Sequence, residues 1–180
     1  TACLVGPEMC IRDSSGLGPT GSEQLPSTRA GWRWPVSSIA NFGQITRLDP
    51  TLLDTLRHVL LKTNALLWLA APGPLPRLRA ELAALGIHQR SRCIISPRLG
   101  WQAYAARAAV ATLYVDTFHY NSHTTTVDML WAGTPAVSTI GGSFTARVGA
   151  AVSRAAGIPD TAAMSLRQYS MTVQTLTGVG

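Results

Sequence analysis

Residues 120–135 read YNSHTTTVDMLWAGTP. Ser122, Thr124, Thr125 and Thr126 place four hydroxyls around His123, and the segment then turns apolar with Asp128 one helical turn in. The apolar residues Leu113, Tyr114 and Val115 precede it and end on Asp116. A strand followed by a helix from 124 puts the polar residues in the loop and the first turn. That turn has backbone N–H groups without intrahelical partners and carries a partial positive charge. Anions, phosphates above all, settle there. Threonine hydroxyls add donors without adding charge, so a diphosphate held by N–H groups, Thr124, Thr125 and His123 suits these residue types. Asp128 lies four residues after Thr124, on the same helix face and one turn deeper. From there it can accept from ribose hydroxyls, as the acidic residue of dinucleotide sites does. Ordinary capping accounts for the same spacing, because Ser and Thr are common N-caps and Asp favours first turns. On spacing alone both readings stand.

The elements that must position this stretch follow from periodicity and punctuation. Short apolar runs at 36–42, 65–70, 92–96, 113–116 and 136–139 read as strands. Asp49 caps a helix that Pro50 opens, with Leu52, Leu53, Leu56, Val59 and Leu60 at helical spacing. Further helices are expected at 74–85, 101–110, 124–131, 143–156 and 165–177. Strand and helix alternate throughout, which predicts a doubly wound, Rossmann-like α/β domain with a parallel sheet. In such sheets ligands bind beyond the carboxyl ends of the strands, where residues 116–122 lie. Trp68 and Trp131 sit in apolar runs and are expected to pack.

The bulk numbers bound the partners. The chain has 180 residues, 46% of them hydrophobic, enough for one domain with a real core. The net charge is +6, carried almost entirely by Arg, with Lys62 the single Lys. The basic residues are dispersed, with no run of the nucleic-acid type, and no apolar run is long enough to span a bilayer. Cys3, Cys10 and Cys93 have no metal-site or disulfide spacing. His119 and His123 straddle a loop and lack a third ligand, so no metal is expected. Residues 1–34 read as a disordered leader, rich in Gly, Ser, Pro and Thr from 14 on, and the opening TACLVGPEMCIRDS resembles a translated sequencing-adapter tail. The domain is then 35–180.

The pattern D-T-x-x-Y-N-x-H-T-T-x-x-D-x-L-W-A-G-x-P, at 116–135, resembles the donor-binding half of the protein O-linked N-acetylglucosamine transferases. NFGQITRLDP at 41–50 and FTARV at 144–148 are similar to further motifs of that family. The resemblance spans about residues 36–175 and implies the C-terminal, UDP-binding half of a GT-B fold. It implies inverting transfer of GlcNAc from UDP-GlcNAc to Ser/Thr of intracellular proteins, with no cofactor and no metal. The setting it implies is cytoplasmic or nuclear, and the chain would be a fragment, inactive alone. Carried over residue by residue, it assigns UDP binding to Gln44, Arg47, Leu99, Tyr104, Arg107, His123, Thr124, Thr125 and Asp128. Within that set, His123, Thr124 and Thr125 hold the diphosphate, Asp128 the ribose and Gln44 the phosphates. Tyr104 stacks on uracil, while Arg107 and the backbone near Leu99 hold its edge. Arg47 stands at the family's phosphate lysine and is the catalytic candidate; it keeps the charge but presents a planar fork. Trp101 stands where animal members have a ribose-contacting Lys, and Ser122 replaces Gly or Ala. Two other classes compete: a related protein O-fucosyltransferase using GDP-fucose, whose members lack the HTT-x-x-D arrangement, and a non-catalytic nucleotide-binding domain. The absence of G-x-G-x-x-G argues against a nicotinamide cofactor.

Overall fold

The computed structural model describes residues 36–71, 75–88 and 92–178. The leader expected at 1–34 and the start of the helix expected at 74 lie outside the described residues. Six strands form one parallel sheet: β1 (Ser38–Asn41), β2 (Leu66–Ala71), β3 (Cys93–Pro97), β4 (Leu113–Val115), β5 (Ala136–Thr139) and β6 (Ala162–Ala163). Their order is β3-β2-β1-β4-β5-β6, which is the doubly wound order. Helices α1 (Pro50–Lys62), α2 (Pro76–Ala84), α3 (Trp101–Val110), α4 (His123–Trp131), α5 (Val148–Ala155) and α6 (Leu166–Leu176) alternate with the strands.

The local sequence explains the main elements. β2 reads LLWLAA, a continuous apolar run, as a strand covered on both faces must. Asp49 accepts from the Leu52 N–H at 3.0 Å and Pro50 opens α1, whose Leu52, Leu53, Leu56, Val59 and Leu60 are buried. Alternate residues of the strands feed two cores. Ile39, Leu67, Leu69, Leu113 and Val115 pack with leucines of α1 and α2 and with Tyr169 and Val173 of α6. Ala40, Trp68, Ala70 and Tyr114 pack with Ala108 of α3 and Met129 of α4 on the other side.

Three details differ from the sequence reading. The helix expected from 143 begins at Val148, because residues 143–147 form a turn in which Gly141 N–H bonds the Ala146 carbonyl and Asn121 N–H bonds the Thr145 carbonyl. A two-residue strand, β6, follows a 3-10 turn at Pro159–Thr161 and is too short to leave a periodic signal. Trp131 does not pack: it is 89% exposed at the end of α4, whereas Trp68 is buried.

This topology positions a site before any side chain is considered. The chain runs outward through β1, β2 and β3; α3 then returns it to β4, beside β1, and the rest runs outward the other way. The loop after β1 therefore leads to α1 on one face and the loop after β4 to α4 on the other. They part at the carboxyl ends of adjacent strands and leave a crevice.

α5 reaches the sheet through Gly149. A methyl there would lie 2.5 Å from the Asp116 Oδ2 and well inside van der Waals contact distance of Ser138 Oγ. Gly149→Ala is therefore expected to destabilise by about 1–3 kcal/mol, as overpacking of a tight interior does. Urea unfolding measures it, and an unchanged midpoint would mean that α5 slides away at no cost.

Candidate functional site

The loop after β4 is organised by Asp116, which is fully buried. Its Oδ1 accepts from the N–H groups of Thr117 (2.8 Å) and Ser122 (2.7 Å). Its Oδ2 accepts from Ser138 Oγ on β5 (3.0 Å) and Thr126 Oγ1 on α4 (3.4 Å). Burial raises its pKa above the ordinary 3.8, and the donors from Ser122, Thr117 and Ser138 pull it back. Asn121 completes the loop. Its side chain donates to the Thr117 carbonyl (2.7 Å) and accepts from Gly149 N–H (3.0 Å). The sequence alone assigns no role to Asp116, Asn121 and Gly149, although the motif contains the first two. The available signal was a carboxylate directly after an apolar strand, where an unpaired charge would be too costly to bury.

The loop delivers Ser122 as the N-cap of α4, and Ser122 makes no side-chain cap. Its hydroxyl is buried and without a hydrogen-bond partner. Asp49 on α1 and Ser165 on α6 do cap their helices. Plain capping therefore does not explain the polar run. The first intrahelical bond of α4 runs from Thr126 N–H to the Ser122 carbonyl at 2.7 Å. The N–H groups of His123, Thr124 and Thr125 precede it, beyond the reach of intrahelical acceptors. Thr124 is exposed, and His123 and Thr125 are half-buried.

The loop after β1 closes on this helix start. Asn41 donates to the Val115 carbonyl at 2.7 Å and accepts from Gly43 N–H at 3.2 Å, tying the ends of β1 and β4. A Cβ at Gly43 would lie 2.6 Å from Ser122 Oγ, so the two loops touch. Gln44, exposed, begins the 3-10 turn Ile45–Arg47. Arg47 then reaches across the crevice, donating from Nη1 to the Asn121 carbonyl at 3.1 Å with its guanidinium 4.1 Å above the Tyr120 ring. The structure thus brings Gln44, Arg47, His123, Thr124 and Thr125 to one crevice.

The remaining candidates lie along α3. Tyr104 is half-buried, and its phenol is pushed up to about 12 by burial first and by the Asp128 charge second. Its hydroxyl lies toward Thr125 and Asp128 across the α3–α4 seam, short of a well-formed hydrogen bond. Burial raises the Asp128 carboxyl above 3.8, and the Tyr104 hydroxyl lowers it. Arg107 is buried and donates from Nη1 to Ser96 Oγ (2.9 Å) and the Pro97 carbonyl (2.8 Å), with its guanidinium 4.4 Å above Phe42. Burial holds its pKa below the ordinary value, and its Nε has no partner. Arg107 thereby anchors the carboxyl end of β3, from which the loop carrying half-buried Leu99 departs. A cavity of about 470 Å³ lies elsewhere, against α6 between Arg167, Met171 and Leu176, and no candidate residue lines it. Among the described residues no three His, Cys, Asp or Glu side chains cluster as metal ligands would, and no helix is long and apolar enough to cross a membrane.

Residues 13–178 match the family model described as glycosyl transferase family 41. The chain belongs to that family. As a family 41 chain it is 30% identical over 151 residues to the UDP-N-acetylglucosamine–peptide N-acetylglucosaminyltransferase of Caenorhabditis elegans, covering 81% of this chain and 13% of that protein. It is 33% identical over 103 residues to the probable UDP-N-acetylglucosamine–peptide N-acetylglucosaminyltransferase SEC of Arabidopsis thaliana, covering 55% and 10%. It thus spans about an eighth or less of these curated relatives. Among solved structures it resembles a mutant of the Thermobaculum terrenum O-GlcNAc transferase, with a TM-score of 0.76 and 23% identity over 86% of this chain and 31% of that one. It also resembles WaaG, a glycosyltransferase involved in lipopolysaccharide biosynthesis, with a TM-score of 0.56 and 17% identity over 79% and 38%. At these identities the structural likeness speaks for the fold, and the family 41 model for the family.

The seam between Tyr104 and Asp128 yields a measurable consequence. A hydroxyl dipole close to a carboxylate favours the charged form even short of a well-formed hydrogen bond. Tyr104→Phe is expected to raise the Asp128 carboxyl further above 3.8, read from the ¹³C shift of its carboxyl carbon against pH. An unmoved titration would place the hydroxyl out of reach of Asp128.

Proposed function

We propose that this domain holds UDP-GlcNAc for inverting transfer of GlcNAc to Ser/Thr of intracellular proteins. The observation that carries the reading is the uncapped start of α4 facing Arg47 across the crevice between β1 and β4. Such a site offers N–H groups, the hydroxyls of Thr124 and Thr125, His123 and one cation to a diphosphate. The donor is taken from the two curated relatives, both UDP-N-acetylglucosamine–peptide N-acetylglucosaminyltransferases by name.

The chemistry follows from those groups. Displacement at the anomeric carbon leaves negative charge on the β-phosphate of UDP. Donors already fixed where that charge develops need no reorganisation, which is the main source of such stabilisation. Arg47 and the start of α4 supply the positive potential that a divalent ion supplies elsewhere, so the reaction is proposed to need no metal. Asp128 accepts from ribose, set back from the phosphates by one helical turn. Tyr104, Leu99 and Arg107 flank the proposed uracil side, with Arg107 shaping the loop that carries Leu99. The acceptor side is assigned to the much longer remainder of proteins like the two curated relatives. A second half closing over the sheet edge would make this a GT-B enzyme of the cytoplasm or nucleus. The 180-residue chain alone is expected to bind donor without transferring sugar.

Two experiments test the reading. UDP should bind more tightly than UMP by calorimetry, with EDTA making no difference; equal affinity for the two nucleotides would remove the diphosphate cradle. Asp128→Asn should weaken UDP about tenfold, equivalent to about 1.4 kcal/mol. The same substitution should leave 2′,3′-dideoxy-UDP almost unaffected, since that analogue has no hydroxyl for the carboxylate to hold. Equal losses for both nucleotides would detach Asp128 from the ribose.

A further inference from the structure

Arg47 is a cation at the crevice, yet among the described residues no carboxylate pairs with it. The two ion pairs among the described residues, Asp54 with His58 and Arg77 with Glu81, are i,i+4 contacts on α1 and α2. What holds Arg47 is a π face. Its Cζ lies 4.1 Å from the Tyr120 ring centroid, and Nη1 bonds the carbonyl of the next residue, Asn121, at 3.1 Å. The same ring also stacks on His123, with centroids 5.1 Å apart and planes 15° from parallel. Tyr120 is nevertheless 43% exposed. Its backbone is fixed, since the Thr117 hydroxyl donates to its carbonyl.

We infer that Tyr120 is a positioning residue, a ring that stacks on both His123 at the start of α4 and the Arg47 guanidinium and aims that guanidinium at the diphosphate. The inference rests on the proposal that UDP occupies this crevice. Its physical basis is the chemistry of the two partners. A flexible arginine loses side-chain entropy when it is held ready, and a carboxylate that held it would also cancel the charge the ligand needs. A ring face attracts the cation by its quadrupole and leaves the net charge in place. Planar guanidinium stacks flat on such a face while keeping its edge donors free, which an ammonium does not. His123, part of the helix, stacks on the same ring, so the ring links the position of Arg47 to the start of α4. The Arg at 47 and the ring at 120 then form one device.

A double-mutant cycle on the 180-residue chain tests this. Tyr120→Leu keeps apolar bulk and removes the ring. It is expected to weaken UDP about tenfold, the upper range for a cation held on an aromatic face. Tyr120→Phe keeps the face and should recover most of that loss. In the Arg47→Ala background Tyr120→Leu should cost nothing further, because its effect passes through Arg47. A ligand-independent readout accompanies the cycle: the Arg47 side-chain protons should be shifted upfield by the ring in the free chain and return downfield in Tyr120→Leu. Equal losses from Tyr120→Leu with and without Arg47, or no loss in the native background, would overturn the positioning role. A native chain with no affinity for UDP would overturn the proposed function and this ligand with it, even if the upfield shift is present; a missing shift in a chain that does bind UDP would overturn the stack alone.

Discussion

One buried carboxylate holds the crevice together. Asp116 has no exposure, and its oxygens collect donors from its own loop, from β5 and from the first turns of α4. Its carbonyl accepts from Tyr169 of α6 at 3.0 Å, and Gly149 lets α5 close over it. Five elements thus meet at one residue. Burying a carboxylate is costly unless hydrogen bonds replace its water. Here two of the replacements are backbone N–H groups of the loop itself, so the desolvated charge dictates the loop's path. Its raised pKa records that burial still outweighs the donors. The conformation that satisfies Asp116 is the one that turns Ser122 into the start of α4.

Electrostatics follows from that path. The Ser122 N–H, which could have donated to an incoming anion, is committed to Asp116. The next three N–H groups are left facing the crevice, at the positive end of the helix. Arg47 adds a full charge with no ion-pair partner among the described residues, and Asp128 stands one turn back, near Tyr104. Charge along α4 therefore runs from electropositive at the first turn to acidic one turn deeper, the order a nucleoside diphosphate requires when its ribose lies deeper than its phosphates. Arg107, the other nearby cation, is occupied with the end of β3.

Much of this was legible in the residues. α1 could be read because three independent signals agree: an Asp cap, a Pro at the first position and leucines at helical spacing. α3 coincides with the expected 101–110 and β5 with 136–139. The polar run marked the start of α4, which begins at His123. What could not be read depends on contacts distant in the chain. Ser122 has the side chain of a cap but is drawn into the interior beneath Gly43, and no local rule foretells that. The family resemblance gives Arg107 to the uracil edge, but its bonds to Ser96 and the Pro97 carbonyl follow only once β3 is placed before it. The late start of α5 is set by Asn121, which claims the Thr145 carbonyl from the neighbouring loop. In each case tertiary demand overrides local preference.

The contact beneath Gly43 shows what that demand costs. The hydroxyls of Ser122 and Tyr114 come together there, both buried and both short of a well-formed hydrogen bond. Leaving such groups unsatisfied costs about 1–3 kcal/mol each. A larger residue at 43 would cover them less well, since its Cβ would meet Ser122 Oγ at 2.6 Å and Tyr114 at 3.4 Å. Moving the β1 loop outward would let water reach them. It would also carry the 3-10 turn away and draw Arg47 off Tyr120 and the Asn121 carbonyl. The close approach of the two loops and the poor satisfaction beneath them are one feature. The same close approach that leaves two imperfect hydroxyls inside sets the cation after β1 against the helix start after β4, at the crevice proposed for the diphosphate.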